Sequence, residues 1–281
     1  MLRIEHLTKT FGEKVAVDDL SLHIQPGEIY GFIGHNGAGK TTTLKSVTGI
    51  LQFDSGEIYI GGCSIKDEPL ACKQQFAYIP DNPDLYEFMS GIQYLNFIAD
   101  IFGVPSDVRA ERIHRFASTF ELEKNLAMPI SSYSHGMKQK LAIISALIHD
   151  PKLVIMDEPF VGLDPVASHL LKEIMRQICE SGGAIFFSTH VLEVAEKLCD
   201  KVAIIKSGKL IKSGTMEEVK GDDSLESVFL ELAEEPDIVP EDRGSGNGGS
   251  SSGGGLGGLF GRGAKSDGPQ LLGGKKGLFG R

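Results

Sequence analysis

The segment Ile29-Tyr-Gly-Phe-Ile33 runs directly into Gly34-His-Asn-Gly-Ala-Gly39-Lys40-Thr41, and Thr42-Thr-Leu-Lys-Ser-Val follows. An apolar strand, a glycine-rich loop and a helix start, in that order, leave few folds open. The loop has to turn sharply while its backbone N–H groups face inward, and that pattern predicts a phosphate cradle. Gly34, Asn36, Gly37, Ala38 and Gly39 form the loop, and the helix N-terminus adds its partial positive charge. Lys40 is placed to reach the β and γ phosphates of a nucleotide, Thr41 to offer its hydroxyl to Mg2+, and Thr42 to assist at the α phosphate. A chance glycine turn would explain the loop but not its flanks.

A second run, Leu153-Val-Ile-Met-Asp157-Glu158, delivers two adjacent carboxylates at the end of a buried strand. Strand alternation predicts that they face opposite sides. Asp157 suits the Mg2+ shell, and Glu158 suits the attacking water as general base or orienting group. A plain acidic loop would leave the apolar run unexplained.

The rest of the chain sets limits. The longest apolar runs, Ala142–Ile148 and Leu153–Met156, fall well short of the roughly 20 residues that a bilayer-crossing helix needs. The opening MLRIEHLTKTF mixes charge with apolar positions, so no secretory leader is expected and the chain is expected in the cytoplasm. Four cysteines without a CxxC pair predict reduced thiols. The net charge is -10, and residues 244–281 hold five basic side chains against one acidic, so the preceding body is more acidic still. Such a surface opposes nonspecific nucleic-acid binding, which needs cations to displace counterions.

Composition also divides the chain. Residues 244–281 contain 16 of its 35 glycines, too little apolar surface to offset ordering, so 236–281 is expected to be an acidic linker and a disordered glycine-rich tail. GLFGR occurs there twice, beside a few basic residues, and two Leu-Phe pairs bury little. Before the tail, LRIEHL, SLHI and EIYI alternate like half-exposed strands, whereas IYGFIG, LVIMD, AIFFST and VAIIK read as strands covered on both faces. Residues 84–150 turn helical. The expected class is α/β: a P-loop NTPase core with a mostly parallel sheet, an antiparallel β lobe and an α-helical lobe, together spanning 1–235.

The body, Met1 to Glu235, resembles the ATP-binding subunits of ABC transporters, because further motifs of that family follow in order. Tyr133-Ser-His-Gly-Met137 occupies the slot of the family signature LSGGQ, some twenty residues ahead of Asp157. The resemblance implies ATP and Mg2+ as ligands and a second ATP-binding domain, in a homodimer or heterodimer, with nucleotide held between the glycine loop of one copy and the signature of the other. Ser134 and Gly136 are then the residues that meet the γ phosphate, and His135 replaces a glycine, adding bulk that either donates a hydrogen bond or hinders closure. On its own, Ser134 is an ordinary helix cap.

The resemblance extends to Gly162-Leu163-Asp164, which fits the loop that crosses to the partner's phosphate cradle, although Asp164 as cap with Pro165 next explains both structurally. His190 fits the family's γ-phosphate contact, and Phe11 fits the aromatic that stacks on adenine, with a core position as the alternative for Phe11. Asp81 stands where the family places a glutamine that senses metal and water; a carboxylate there would bind the metal or repel the γ phosphate, and an Asp-Asn-Pro turn is the structural alternative. The family's partners are integral membrane permease subunits, which makes the implied location peripheral on the inner face of the cell membrane. The C-terminal SGTMEEVK and SLESVFLEL are similar to subunits of exporters. A soluble ABC-type ATPase acting on ribosomes or nucleic acid is the competing class; the acidic body and the single cassette count against it. A GTPase would carry an N-K-x-D string, and none occurs.

Overall fold

Burial with a period of two sorts the strands into two sheets. The computed structural model describes residues 1–234, and the linker and tail expected over 236–281 lie outside them. The first sheet is antiparallel and ordered β2 (Lys14–Ile24), β1 (Leu2–Phe11), β4 (Ser55–Ile60), β5 (Cys63–Ser64). Its strands alternate: in β1, Leu2, Ile4 and Leu7 are buried, and the register with β2 shifts between Ile4 and Leu7, between Leu7 and Lys9 and between Lys9 and Thr10. The second sheet is ordered β10 (Lys209–Thr215), β9 (Lys201–Lys206), β3 (Ile29–Ile33), β8 (Ala184–Thr189), β7 (Leu153–Asp157), β6 (Phe76–Ile79). All its pairings are parallel except β9 with β10.

The parallel strands are apolar throughout because both faces are covered. Tyr30, Phe32, Leu153, Ile155 and Phe186 meet the antiparallel sheet and helix α1 (Lys40–Val47), which contributes Leu44 and Val47. Ile33, Val154, Met156, Ile185 and Phe187 face the opposite core, shared with the later helices. One of these, α6 (Pro165–Glu180), buries Ala167, Leu171, Ile174 and Met175, a stripe at helical spacing. Truncating Leu171, only 2% exposed, to alanine would cost about 2–5 kcal/mol. Between β1 and the later core lie the short α2 (Pro69–Lys73) and the helical lobe, α3 (Gly91–Ile101), α4 (Ser106–Thr119) and α5 (His135–Leu147). Helix α3 starts in a capping box between Ser90 and Gln93, and α5 is the lobe's buried axis, with Leu141, Ile143 and Ile144 fully covered.

The last helices among the described residues are α7 (Leu192–Leu198), α8 (Met216–Lys220) and α9 (Leu225–Glu234). Among the described residues no helix is long and apolar enough to cross a membrane. The four cysteines are unpaired, as expected.

Candidate active site

The loop between β3 and α1 closes on itself before α1 begins. Gly39 adopts φ +111°, and a Cβ there would lie 2.4 Å from the Ala16 carbonyl oxygen, so conformation and space both demand glycine. Within the loop the Lys40 ammonium is 5% exposed; it donates to the carbonyls of Gly34 at 2.7 Å and His35 at 3.3 Å. An ammonium packed against carbonyls at a helix start is a preformed cation for an incoming phosphate.

The loop opens onto a cleft of about 300 Å3. Asn36, Gly37, Gly39, Lys40, Thr41 and Thr42 line its floor, Phe11 one wall, and Asp81, Asp157 and Glu158 the other. Four segments far apart in sequence thus deliver these residues to one place. Gly34 and Ala38 shape the loop from behind, with Ala38 buried. Phe11 is 50% exposed and in neither core, which removes its structural alternative; the Lys9 ammonium lies 5.2 Å from its ring.

The two carboxylates do not part as strand alternation predicts. Asp157 ends β7, but Glu158 takes φ +48°, so the chain leaves the pleat and both side chains line the same cleft. A non-glycine residue in the left-handed region is strained and persists only where its surroundings hold it. Here β8 holds it: the Glu158 N–H donates to the Ser188 hydroxyl at 3.1 Å and to the Ser188 carbonyl at 3.2 Å. The same Ser188 hydroxyl donates to Asp157 Oδ1 at 2.5 Å. Glu158 Oε1 lies 3.6 Å from Lys40 Nζ, and its Oε2 lies 2.9 Å from His190 Nδ1. Lys40, Glu158 and His190 therefore form one polar chain across the cleft.

Two oxygens in this group are buried without a hydrogen-bond partner, Asp157 Oδ2 and Glu158 Oε1. Glu158 Oε1 keeps the Lys40 ammonium at 3.6 Å, whereas the unpaired acceptor of Asp157 is costly and calls for an explanation. The Tyr78 hydroxyl is a third such atom; burial, with Asp157 and Asp81 nearby, pushes it well above the usual tyrosine range. Among the described residues no group of three or more His, Cys, Asp or Glu forms a metal cage. Mg2+ takes one or two protein ligands and completes its shell with phosphate oxygens and water. The free oxygen of Asp157 and the Thr41 hydroxyl fit that pattern.

Ser134, Gly136 and Asp164 lie apart from this cleft and gather into a second cluster. Ser134 caps α5 by accepting from the Met137 N–H at 3.3 Å. Asp164 caps α6 by accepting from the Ala167 N–H at 2.8 Å, and its other oxygen pairs with Lys140 at 2.8 Å, which holds its carboxyl below the usual range. Both structural alternatives therefore hold, without displacing a further role. Tyr133 turns inward: its hydroxyl donates to the Asn125 carbonyl at 2.7 Å and sits where any Cβ at residue 91 would be, which explains Gly91.

Sequence reasoning missed Ser188, the penultimate residue of β8 and two positions ahead of His190, and His35, whose ring packs 4.7 Å from that of Phe229 on α9. Lys14 and Ala16 also line the cleft, and only their pairing across the β1–β2 hairpin brings them there.

The sequence matches the family model for ABC transporters over residues 17–161. It is 34% identical over 240 residues to the ABC-type transporter ATP-binding protein EcsA of Bacillus subtilis, covering 84% of this chain and 97% of that one. It is 35% identical over 219 residues to the Nod factor export ATP-binding protein I of Cupriavidus metallidurans, covering 78% and 72% respectively. A solved ATP-binding subunit of an ABC transporter superposes with a TM-score of 0.80 at 34% identity, over 83% of this chain and 99% of its own. With the phosphate loop, the paired carboxylates and both sheets in place, the chain is an ABC ATPase and belongs to the ATP-binding subunits of ABC transporters.

Proposed function

We propose that this subunit hydrolyses MgATP as one half of a head-to-tail pair and passes the resulting motion to separate permease subunits on the inner face of the cell membrane, in the direction of export. The observation that carries the catalytic part is the Lys40–Glu158–His190 chain beside the unpaired Oδ2 of Asp157. Lys40 exchanges the Gly34 and His35 carbonyls for β and γ phosphate oxygens. Glu158, released from Lys40, orients the attacking water and takes its proton, while His190 holds the second carboxylate oxygen and faces the γ phosphate. Mg2+, held by Thr41 and Asp157 with Asp81 close by, would supply charge neutralisation at the phosphates. Phe11 stacks on the base, with Gly34, Asn36, Gly37, Ala38, Gly39 and Thr42 around the phosphates.

Pairing follows from the second cluster. Ser134, Gly136 and Asp164 lie outside the cleft of their own chain, where they can complete the site of another. A γ phosphate touching both copies favours the closed pair over the open one, and its loss removes that preference.

An exposed aromatic surface supports a membrane partner. The loop from Asp81 carries Tyr86, Phe88 and Phe97 of α3 in an exposed aromatic group, with Phe88 85% exposed and Tyr86 ring centroids 5.9 and 5.6 Å from those of Phe88 and Phe97. Exposed apolar clusters of this kind mark interaction surfaces. The loop is stapled to the segment ahead of α5: the Ile130 N–H donates to the Met89 carbonyl at 2.9 Å, the Ser131 N–H to the Glu87 carbonyl at 3.2 Å, and Lys138 pairs with Glu87. Nucleotide at Asp81, the signature at Ser134 and the aromatic surface therefore shift together. The similarity to a Nod factor export protein supports the outward direction.

The test is Glu158→Gln. It should bind MgATP, turn over at least about a hundredfold more slowly, and sediment as a dimer only with MgATP. Near-normal turnover in the assembled transporter would remove Glu158 from this role. Co-purification with an integral membrane protein, rather than with ribosomes or nucleic acid, is the companion result.

A further inference from the structure

Of the three unexpected side chains in Tyr133-Ser134-His135-Gly136-Met137, Tyr133 is buried and Met137 packs on the core, whereas His135 is exposed at the first residue of α5. Its ring lies over Gly162, in the loop between Glu158 and α6. A Cβ built on Gly162 would be 2.5 Å from His135 Cδ2 and 2.8 Å from Nε2, a separation that real atoms do not tolerate. Gly162 takes φ +80°, so its bare Cα is turned toward the imidazole. Gly136 approaches the same residue: a Cβ there would be 2.9 Å from the Gly162 carbonyl oxygen. One helical turn further on, Lys140 pairs with Asp164.

We propose that His135 is a positioning residue: seated on Gly162, its ring fixes the segment bearing Ser134 and Gly136 against the loop bearing Asp164, so that both move as one rigid edge of the cassette. The functional sense of that edge rests on the reading of Ser134 and Gly136 as the groups that meet a partner's nucleotide. With a glycine at 135 the loop would be tied to α5 only through Gly136 and a partly exposed ion pair, which holds little by itself. The imidazole contributes flat contact area on an otherwise open glycine, and a planar ring without a titratable group should serve as well.

The experiment is hydrogen exchange, followed by mass spectrometry, on the nucleotide-free full-length chain. His135→Ala should speed exchange of the Val161 and Leu163 amides, which donate within this loop, at least threefold, and His135→Phe should restore it. A double-mutant cycle adds an independent arm: Gly162→Ala destabilises in either background because of its positive φ, but the unfolding equilibrium constant should change at least threefold less when His135 is alanine. Unchanged exchange in His135→Ala, or additive costs in the cycle, overturns the proposal. Neither arm uses nucleotide or a second cassette. The functional reading fails separately, if MgATP leaves residues 134–136 of the Glu158→Gln protein unprotected.

Discussion

Ser188→Ala isolates the hydroxyl on which both carboxylates depend. Ser188 is fully buried; it donates its single proton to Asp157 Oδ1 at 2.5 Å and accepts from the Glu158 N–H at 3.1 Å. The Glu158 N–H keeps the Ser188 carbonyl at 3.2 Å, so that half of the loss is partly compensated. Asp157 has no such reserve: it is 1% exposed, and Oδ2 already lacks a partner. Losing a hydrogen bond to a charged group costs about 1.5–3 kcal/mol. For a domain of this size that is a drop of about 3–12 °C in Tm. Urea denaturation and calorimetry on nucleotide-free protein measure it directly. The same change should lower kcat, because the Glu158 backbone at φ +48° is left with the Ser188 carbonyl alone and Asp157 loses the hydroxyl that orients it. A variant within about 0.5 kcal/mol of wild type, the range of an ordinary surface substitution, would refute the claim that Ser188 organises the pair.

Three further outcomes follow from the contacts described. Phe229→Ala removes the ring that packs on His35 of the phosphate loop; an aromatic pair is worth about 0.5–1.5 kcal/mol, so Kd for ATP, read with a fluorescent analogue, should rise roughly two- to tenfold. Tyr133→Phe leaves the Asn125 carbonyl without its 2.7 Å partner and should cost about 1 kcal/mol in urea unfolding with little change in ATPase rate. His149 stacks 3.7 Å from the Phe102 ring, and burial holds its pKa below the ordinary histidine value of 6.5. Its unfolded state therefore takes up a proton first, and stability should fall as pH drops below 6.5 toward the folded pKa, by at most about 1.4 kcal/mol per pH unit for one group. Urea midpoints at pH 7.5 and 5.5 should differ less in His149→Phe than in wild type.

The fold was legible where periodicity and punctuation agree. The phosphate loop between β3 and α1, the all-apolar parallel strands and the helical stretch ahead of Asp157 each carry a local signal, and each forms. The motif residues of the candidate site fall in one cleft, with His190 reaching it through Glu158, and in one outlying cluster. Strand alternation failed at Glu158, because a positive φ is a choice of the surrounding β8 backbone and leaves no local trace in a glutamate. Ser188 and His35 were illegible for a related reason. Their partners, Asp157 and Phe229, are 31 and 194 residues away in the chain, and only sheet order and the docking of α9 bring them together. Gly91 and Gly162 were visible as residues, but their purpose was not, since each makes room for an aromatic ring on another element.

The central claim is that one cassette completes the nucleotide site of another. A structure of the Glu158→Gln assembly loaded with MgATP tests it most directly. The Ser134 hydroxyl and the Gly136 N–H of one protomer should lie against the γ phosphate held by Lys40 of its partner. Nucleotide bound in the cleft with those two groups facing solvent, or facing their own chain, would contradict it.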